Sequence, residues 1–242
     1  MAQKPTQLAF WIFSLMMASL VIHSCQKEPI KVVTRQMKED LGKTLFFDKT
    51  LSNPSGQSCA SCHSPETGFS DPNHAATSPG VIPGLFGNRN AISIAYSSYT
   101  PENLQYDPED SGYFGGFFMD GRAATLKDQA KQPFLNPIEM ANLDVAMVVS
   151  KLRNSENYAQ FIKVYGNITD DSIAFDDMAD ALSYFERSAE MNPFTSKFDY
   201  YLKGQATFTA QELSGMRLFT DTAKGKCANC HLIDPDPDNG KI

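Results

Sequence analysis

Tryptophan is all but missing from this chain: its one residue, Trp11, lies in an N-terminal apolar run, so a mature protein cleaved after that run has none. The run, residues 8–22, is short for a bilayer span, which needs about 20 apolar residues, and suits the core of a signal peptide. Basic charge is scarce as well. Lys and Arg number 21 against 28 Asp and Glu, for a net charge of -7, and no basic cluster occurs, which excludes nucleic acid as a partner. No convincing stretch alternates with period two, so half-buried strands are not expected. With 4 histidines and 5 cysteines in all, the placement of each carries weight.

The first cysteine closes the apolar run, in His23-Ser24-Cys25. A small residue just before a cysteine after such a core resembles a bacterial lipobox, in which the thiol is acylated and becomes the mature N-terminus. Residues 1–24 are therefore expected to be a signal peptide, Cys25 a lipid anchor and 25–33 a tether. Plain secretion and a retained anchor helix are the alternatives. All three place the protein outside the cytoplasm, in the periplasm or cell envelope.

The other four cysteines form two pairs, each followed at once by histidine: Cys59-Ala60-Ser61-Cys62-His63 and Cys227-Ala228-Asn229-Cys230-His231. Such a pair can be a redox dithiol, half of a zinc site or a structural disulfide. The adjacent histidine favours covalent haem, with the cysteines joined to the vinyl groups as thioethers and His63 or His231 under the iron as proximal ligand. Two motifs predict two c-type haems.

Between and around the motifs the periodicity is helical. Met37, Leu41 and Leu45 recur at spacing four behind the candidate cap Thr34. Three apolar stripes follow: Val145, Val148, Val149 and Leu152; Tyr158, Phe161, Ile162 and Tyr165; Met178, Ala181, Leu182, Phe185 and Ala189. Thr209-x-x-Glu212 is a capping box that opens a last helix. Residues 64–121 hold no lasting period and are rich in glycine, proline, serine and asparagine, a loop region of functional length. The segment ending Leu45-Phe46-Phe47-Asp48 ahead of the first haem motif is echoed by Leu218-Phe219-Thr220-Asp221 ahead of the second. The expected fold is all-α and cytochrome c-like, with long irregular loops around the first haem and a second haem unit that has barely begun.

Seven segments resemble the bacterial diheme cytochrome c peroxidases, relatives of the methylamine-utilisation diheme enzymes: LGKTLFFDKTLS (41–52), SCASCHSPETGFSD (58–71), GNRN (87–90), DGRAATLKDQAKQPFLNPIEM (120–140), SKFDYYLKG (196–204), ELSGMRLF (212–219) and CANCH (227–231). They stand in family order. The resemblance implies a peroxidatic haem domain over 34–203 and the start of an electron-transfer haem domain over 204–242, truncated before the second pocket is complete. It makes Glu139 and Gln129 the distal pair at the first haem. A carboxylate there moves a proton from the inner to the outer oxygen of peroxide, and an amide orients it. Arg89 and Arg122 are expected to pair with haem propionates or to fix their loops, and Asn90 matches a family calcium ligand. Asp234, Asp236 and Asp238 resemble the start of a calcium loop, but the glycine is one place late, and a solvated linker is the expectation.

Two departures stand out. Where the family has tryptophan before Asp-Gly-Arg, this chain has Met119. Where some members carry a histidine that blocks the first haem until the second is reduced, the corresponding position is near Ile82, and His74 reads as a surface loop residue. The function expected is reduction of hydrogen peroxide to water with electrons from a small redox protein, a cytochrome c or a copper protein. The membrane would be reached only through the lipid anchor, and a homodimer is the expected assembly. The alternatives are an electron-transfer cytochrome without peroxide chemistry and a diheme oxidase of another protein or an organic substrate.

Overall fold

In the computed structural model residues 32–108, 111–229 and 231 are described. The signal segment 1–24, the Cys25 anchor, most of the tether, Cys230 and the acidic triplet at Asp234, Asp236 and Asp238 lie outside them.

Helix α1 (Arg35–Phe47) opens where Thr34 accepts a hydrogen bond from the Met37 amide at 3.2 Å, as its cap position requires. It ends at Asp48, whose carboxylate turns the chain into a single 3-10 turn (Lys49–Leu51) by accepting from the Thr50 amide at 2.8 Å. The first haem motif then forms a helix of its own, α2 (Cys59–Cys62). No α-helix follows until α3 (Leu126–Leu135), capped by Thr125. Next come α4 (Val145–Arg153), α5 (Tyr158–Tyr165), α6 (Asp171–Glu186), α7 (Lys197–Leu202) and α8 (Ala210–Thr220). The three apolar stripes are α4, α5 and α6, although α6 stops at Glu186 and leaves Ala189 exposed beyond its end. The loop region holds only short elements among the described residues, two 3-10 turns (Pro65–Thr67 and Ser97–Tyr99) and a hairpin of β1 (Gln105–Asp107) and β2 (Gly112–Phe114) that sets Tyr106 opposite Tyr113.

The long helix α6 runs against α1, α3 and α4, and their facing sides form one apolar cluster around Leu41, Phe46, Phe134, Leu152, Met178 and Phe185. Each such side chain taken from water contributes about 1.5–3 kcal/mol before entropy is counted, so this cluster is what holds the helices together. Between α3 and α6, Lys131 adds an ion pair to Asp176 at 2.6 Å, and Lys127 meets the same carboxylate.

Gly42 explains how closely α1 and α6 approach. A Cβ at Gly42 would lie 2.0 Å from the Ala181 carbonyl oxygen, inside the backbone of α6. A glycine in mid-helix costs about 1 kcal/mol relative to alanine, and here the close contact offsets that cost. Gly42→Ala is therefore expected to destabilise the fold by about 1–3 kcal/mol despite its better propensity, read as a lower urea midpoint at unchanged slope. An unchanged midpoint would mean that the helices part freely at this point.

The internal repeat is visible in the backbone. Asp221 ends α8 as Asp48 ends α1, both extended, and it accepts from the Ala223 amide at 2.8 Å as Asp48 does from Thr50. In both, the carboxylate redirects the chain into a Cys-x-x-Cys-His segment.

Candidate functional site

One cavity of about 420 Å³ gathers the residues singled out around the first motif. Cys59, Cys62, His63, Arg89, Asn90, Arg122, Gln129 and Glu139 all line it. Neither His74 nor Ile82 does: His74 is exposed in its loop and Ile82 lies half-buried in the turn that follows.

His63 stands at the C-terminal end of α2, where its amide donates to the Cys59 carbonyl at 2.9 Å. Its Nδ1 lies 3.1 Å from two carbonyl oxygens, of Phe69 and of Ile92. Both are acceptors, so Nδ1 must carry the proton and Nε2 keeps a free lone pair. Burial lowers the pKa of the ring, against the pull of those two carbonyls, and keeps the imidazole neutral. A neutral ring with a fixed tautomer and a free Nε2 is what ligation of iron requires.

The two thiols are held in their neutral form. Burial pushes Cys59 up to about 12 and raises Cys62, the latter against a hydrogen bond to Ser78. Reactive cysteines are recognised by depressed values, and these are raised. Cys59 and Cys62 are not joined to each other, and among the described residues no group of three His, Cys, Asp or Glu side chains is set to hold a metal ion. Half-buried neutral thiols on the wall of a large cavity, next to a ready imidazole, fit a haem bound by thioether bonds. Gln57 adds to this fit: its Nε2 donates to the Pro79 carbonyl at 2.8 Å, while its Oε1, also buried at the cavity, finds no protein partner.

Another part of the wall comes from α3 and the turn after it. Thr125 starts α3, and Gln129 and Pro133, one turn apart, face the cavity. Pro133 has no amide to give to the Gln129 carbonyl, so the helix is weakened there and closes at Asn136. The turn that carries Glu139 is pinned on both sides. The Glu139 amide donates to the Asn136 carbonyl at 3.0 Å, and its own carbonyl accepts from Val81 at 2.9 Å. Gly80 makes the second contact possible, since a Cβ there would sit 2.3 Å from the Ile138 carbonyl oxygen. Burial raises the Glu139 carboxyl above its ordinary range, while a hydrogen bond with Asn136 and the charge of Arg122 pull it partly back.

Arg89 and Arg122 enter the cavity as a clasped pair. They hold the two oxygens of Asp120 at 2.9 and 2.8 Å, and the Arg122 guanidinium lies 3.6 Å from the centre of the Phe118 ring. Each guanidinium has five N–H donors, so the clasp leaves several for an anionic group in the cavity. Asn90 donates through Nδ2 to the Ala75 carbonyl at 2.8 Å.

The second motif lies apart from this cavity, after α8. The His231 amide donates to the Cys227 carbonyl at 2.8 Å, which repeats the His63–Cys59 bond of the first motif, and the His231 ring lies 6.3 Å from Phe219.

Sequence reasoning missed one functional candidate, Glu186. It is 5% exposed, lines the cavity beside Cys59, and is pushed up to about 8 by burial, with only Arg187 pulling it back. The signal was present: Met178, Leu182 and Glu186 recur at spacing four, which places a carboxylate on the buried stripe of α6.

The chain matches the family described as di-haem cytochrome c peroxidase over residues 36–207. It is 38% identical over 199 residues to the methylamine utilization protein MauG of Paracoccus denitrificans, covering 79% of this chain and 50% of that protein. It is 36% identical over 208 residues to the cytochrome c peroxidase Ccp of Escherichia coli K12, covering 85% and 39%. Among solved structures, the diheme peroxidase BthA of Burkholderia thailandensis superposes with a TM-score of 0.76 at 33% identity, over 87% of this chain and 52% of that one. The chain thus spans about half the length of the first of these relatives. With the match running from α1 through the cavity to the turn after α7, and Cys59, Cys62 and His63 on the cavity wall, this chain belongs to the di-haem cytochrome c peroxidase family.

Proposed function

We propose that this chain carries the peroxide-reducing site of a diheme c-type peroxidase, which reduces hydrogen peroxide to water with electrons from a small redox protein. The observation that supports it best is convergence: Glu139 and Gln129 share one cavity with His63 and its two cysteines. Cys59 and Cys62 would hold the first haem through thioether bonds and His63 through Nε2. When bound, that haem supplies the redox chemistry. Glu139 takes the proton of the inner peroxide oxygen and returns it to the outer one, so that water leaves. Burial favours this shuttle, because a raised carboxyl holds and yields a proton closer to neutral pH. Gln129, one helical turn before Pro133, offers its amide to orient the substrate.

Electrons would arrive through a second haem at Cys227, Cys230 and His231. A carrier of electrons alone has no use for a carboxylate and an amide facing the cavity. Asn90, with its amide nitrogen engaged, is proposed to turn its oxygen to a calcium ion. Export through residues 1–24, a lipid anchor at Cys25, a location in the periplasm or cell envelope and a homodimer complete the proposal. The anchor is supported by the lipobox-like sequence at His23-Ser24-Cys25.

A stopped-flow titration of the haem-loaded protein with hydrogen peroxide tests this reading. A fast stoichiometric change at the first haem, followed by turnover with a reduced redox protein, is expected. A spectrum that does not respond to peroxide would assign the protein to electron transfer. Peroxide consumed only when an organic or protein substrate is oxidised would assign it to the oxidases.

The same sample carries a second expectation. Ile82 is an alkyl side chain outside the cavity, and His74 is exposed, which supports an unblocked first haem. The first haem should be mostly high-spin in its ferric state, and His74→Ala should leave that spectrum unaltered. A low-spin signal lost in His74→Ala would show that the loop folds back.

A further inference from the structure

The mechanism above makes no use of Glu186. It stands in the last turn of α6, 5% exposed, and no hydrogen bond to its carboxyl is found among the described residues. A buried carboxyl without a partner costs several kcal/mol if charged, and a natural core keeps one rarely. This one lines the cavity that would hold the haem, next to Cys59, so it faces the cavity and not a packed interior. It is also not neutralised from outside. Arg187, the next residue, is the one charge that pulls on it. The basic groups of α1 are engaged elsewhere: Lys38 with Asp180, Lys43 with Glu190, and Arg35 with Glu39 and the Arg187 carbonyl. From α2 it meets Cys59, a thioether once haem is attached, and Glu139 acts on that same cysteine.

We infer that Glu186 is the redox-linked proton site of the first haem: its carboxylate takes a proton from solvent when an electron reduces the iron, and releases it on reoxidation. This rests on the haem assignment given above. The balance is simple. The donor protein supplies one electron to ferric iron, the aqueous cavity mouth supplies one proton to a carboxylate oxygen, and no other bond changes. The driving force is electrostatic. Ferric haem has one more positive charge than ferrous haem, so in a dry site it favours the carboxylate, and its reduction favours the acid. Burial already places the carboxyl at about 8, so a modest pull from the iron brings the exchange to neutral pH. Peroxide reduction consumes a proton with each electron, and Glu186 would keep the buried site from accumulating charge as electrons arrive. Its role is to set the potential, and Glu139 remains the group that handles peroxide.

The test is a spectroelectrochemical titration of the haem-loaded protein across about pH 6 to 9, following the wave that is lost in Cys59→Ala/Cys62→Ala. Its midpoint potential should fall as pH rises, with a slope approaching about 59 mV per pH unit, the tenfold change per unit expressed for one electron. Glu186→Gln should remove most of that slope, and Glu186→Asp, which keeps the acid, should retain it. Glu139→Gln should leave most of it in place. Redox-difference infrared spectroscopy of the unmodified protein gives a second readout that needs no variant: a protonated carboxyl band present in the reduced state and diminished in the oxidised one. An equal slope in Glu186→Gln, or no such band, would overturn the inference while leaving the peroxidase reading intact. Absence of covalent haem at Cys59 and Cys62 would instead overturn that reading.

Discussion

Glu139→Gln is expected to lower peroxide turnover by roughly 10²–10⁴-fold while the protein keeps its fold and its covalent haem. Glutamine has nearly the same shape and still accepts the bond that Asn136 offers, and the pinned backbone at Asn136 and Val81 does not depend on the side chain. What is lost is the ability to take and return a proton. The pH profile separates this from damage to the site. Glu139 must be ionised to accept the peroxide proton, and burial holds its pKa above the ordinary 4.5. Activity should therefore fall on the acid side as pH drops through that raised value, above pH 4.5 and not below it. The glutamine variant should lack this acid limb. Undiminished turnover with the limb intact would place the proton shuttle on another group and leave Glu139 as part of the turn.

Cys59→Ala combined with Cys62→Ala is expected to abolish covalent haem at the first site, and with it all peroxide turnover. The check is a haem-stained denaturing gel, with mass spectrometry showing one haem fewer than the parent. A structural effect should accompany the loss. The cavity of about 420 Å³ is lined by Phe46, Leu126, Met140 and Leu182 as well as by the polar groups, and without its occupant these side chains lose their packing partner. The variant should unfold at a lower temperature than the loaded parent, because a cofactor bound only to the native state stabilises it by mass action. Zinc in place of iron in the parent, or a denaturing gel without haem signal, would overturn the assignment of both motifs.

The helices that frame the site were legible because their signals are local. Thr34 and Thr209 cap where a hydroxyl must meet an orphan amide, and the stripes on α4, α5 and α6 follow from a period of 3.6 residues that any amphipathic helix must show. The two haem motifs were legible for the same reason, since the cysteines and the histidine lie within one turn of chain. The hairpin that pairs Tyr106 with Tyr113 was not, because its strands are three residues long, too short for an alternation to register.

By itself, then, the sequence determined the all-α class, the two attachment motifs and the membership of Glu139 and Gln129 in a recognisable segment. Tertiary structure alone decided what meets what. It gathered Gln129, Glu139, Arg89 and Arg122, far apart along the chain, around one cavity with His63. It fixed the His63 tautomer through carbonyls contributed by residues 69 and 92. It made Gly42 a contact between helices, tied both arginines to Asp120, and turned Glu186 from one more glutamate on a helix into a buried acid beside Cys59. The division has one physical cause. Caps, periods and covalent attachment depend on neighbours a few bonds away, whereas burial, dielectric and partner choice depend on which distant segments the apolar core brings together.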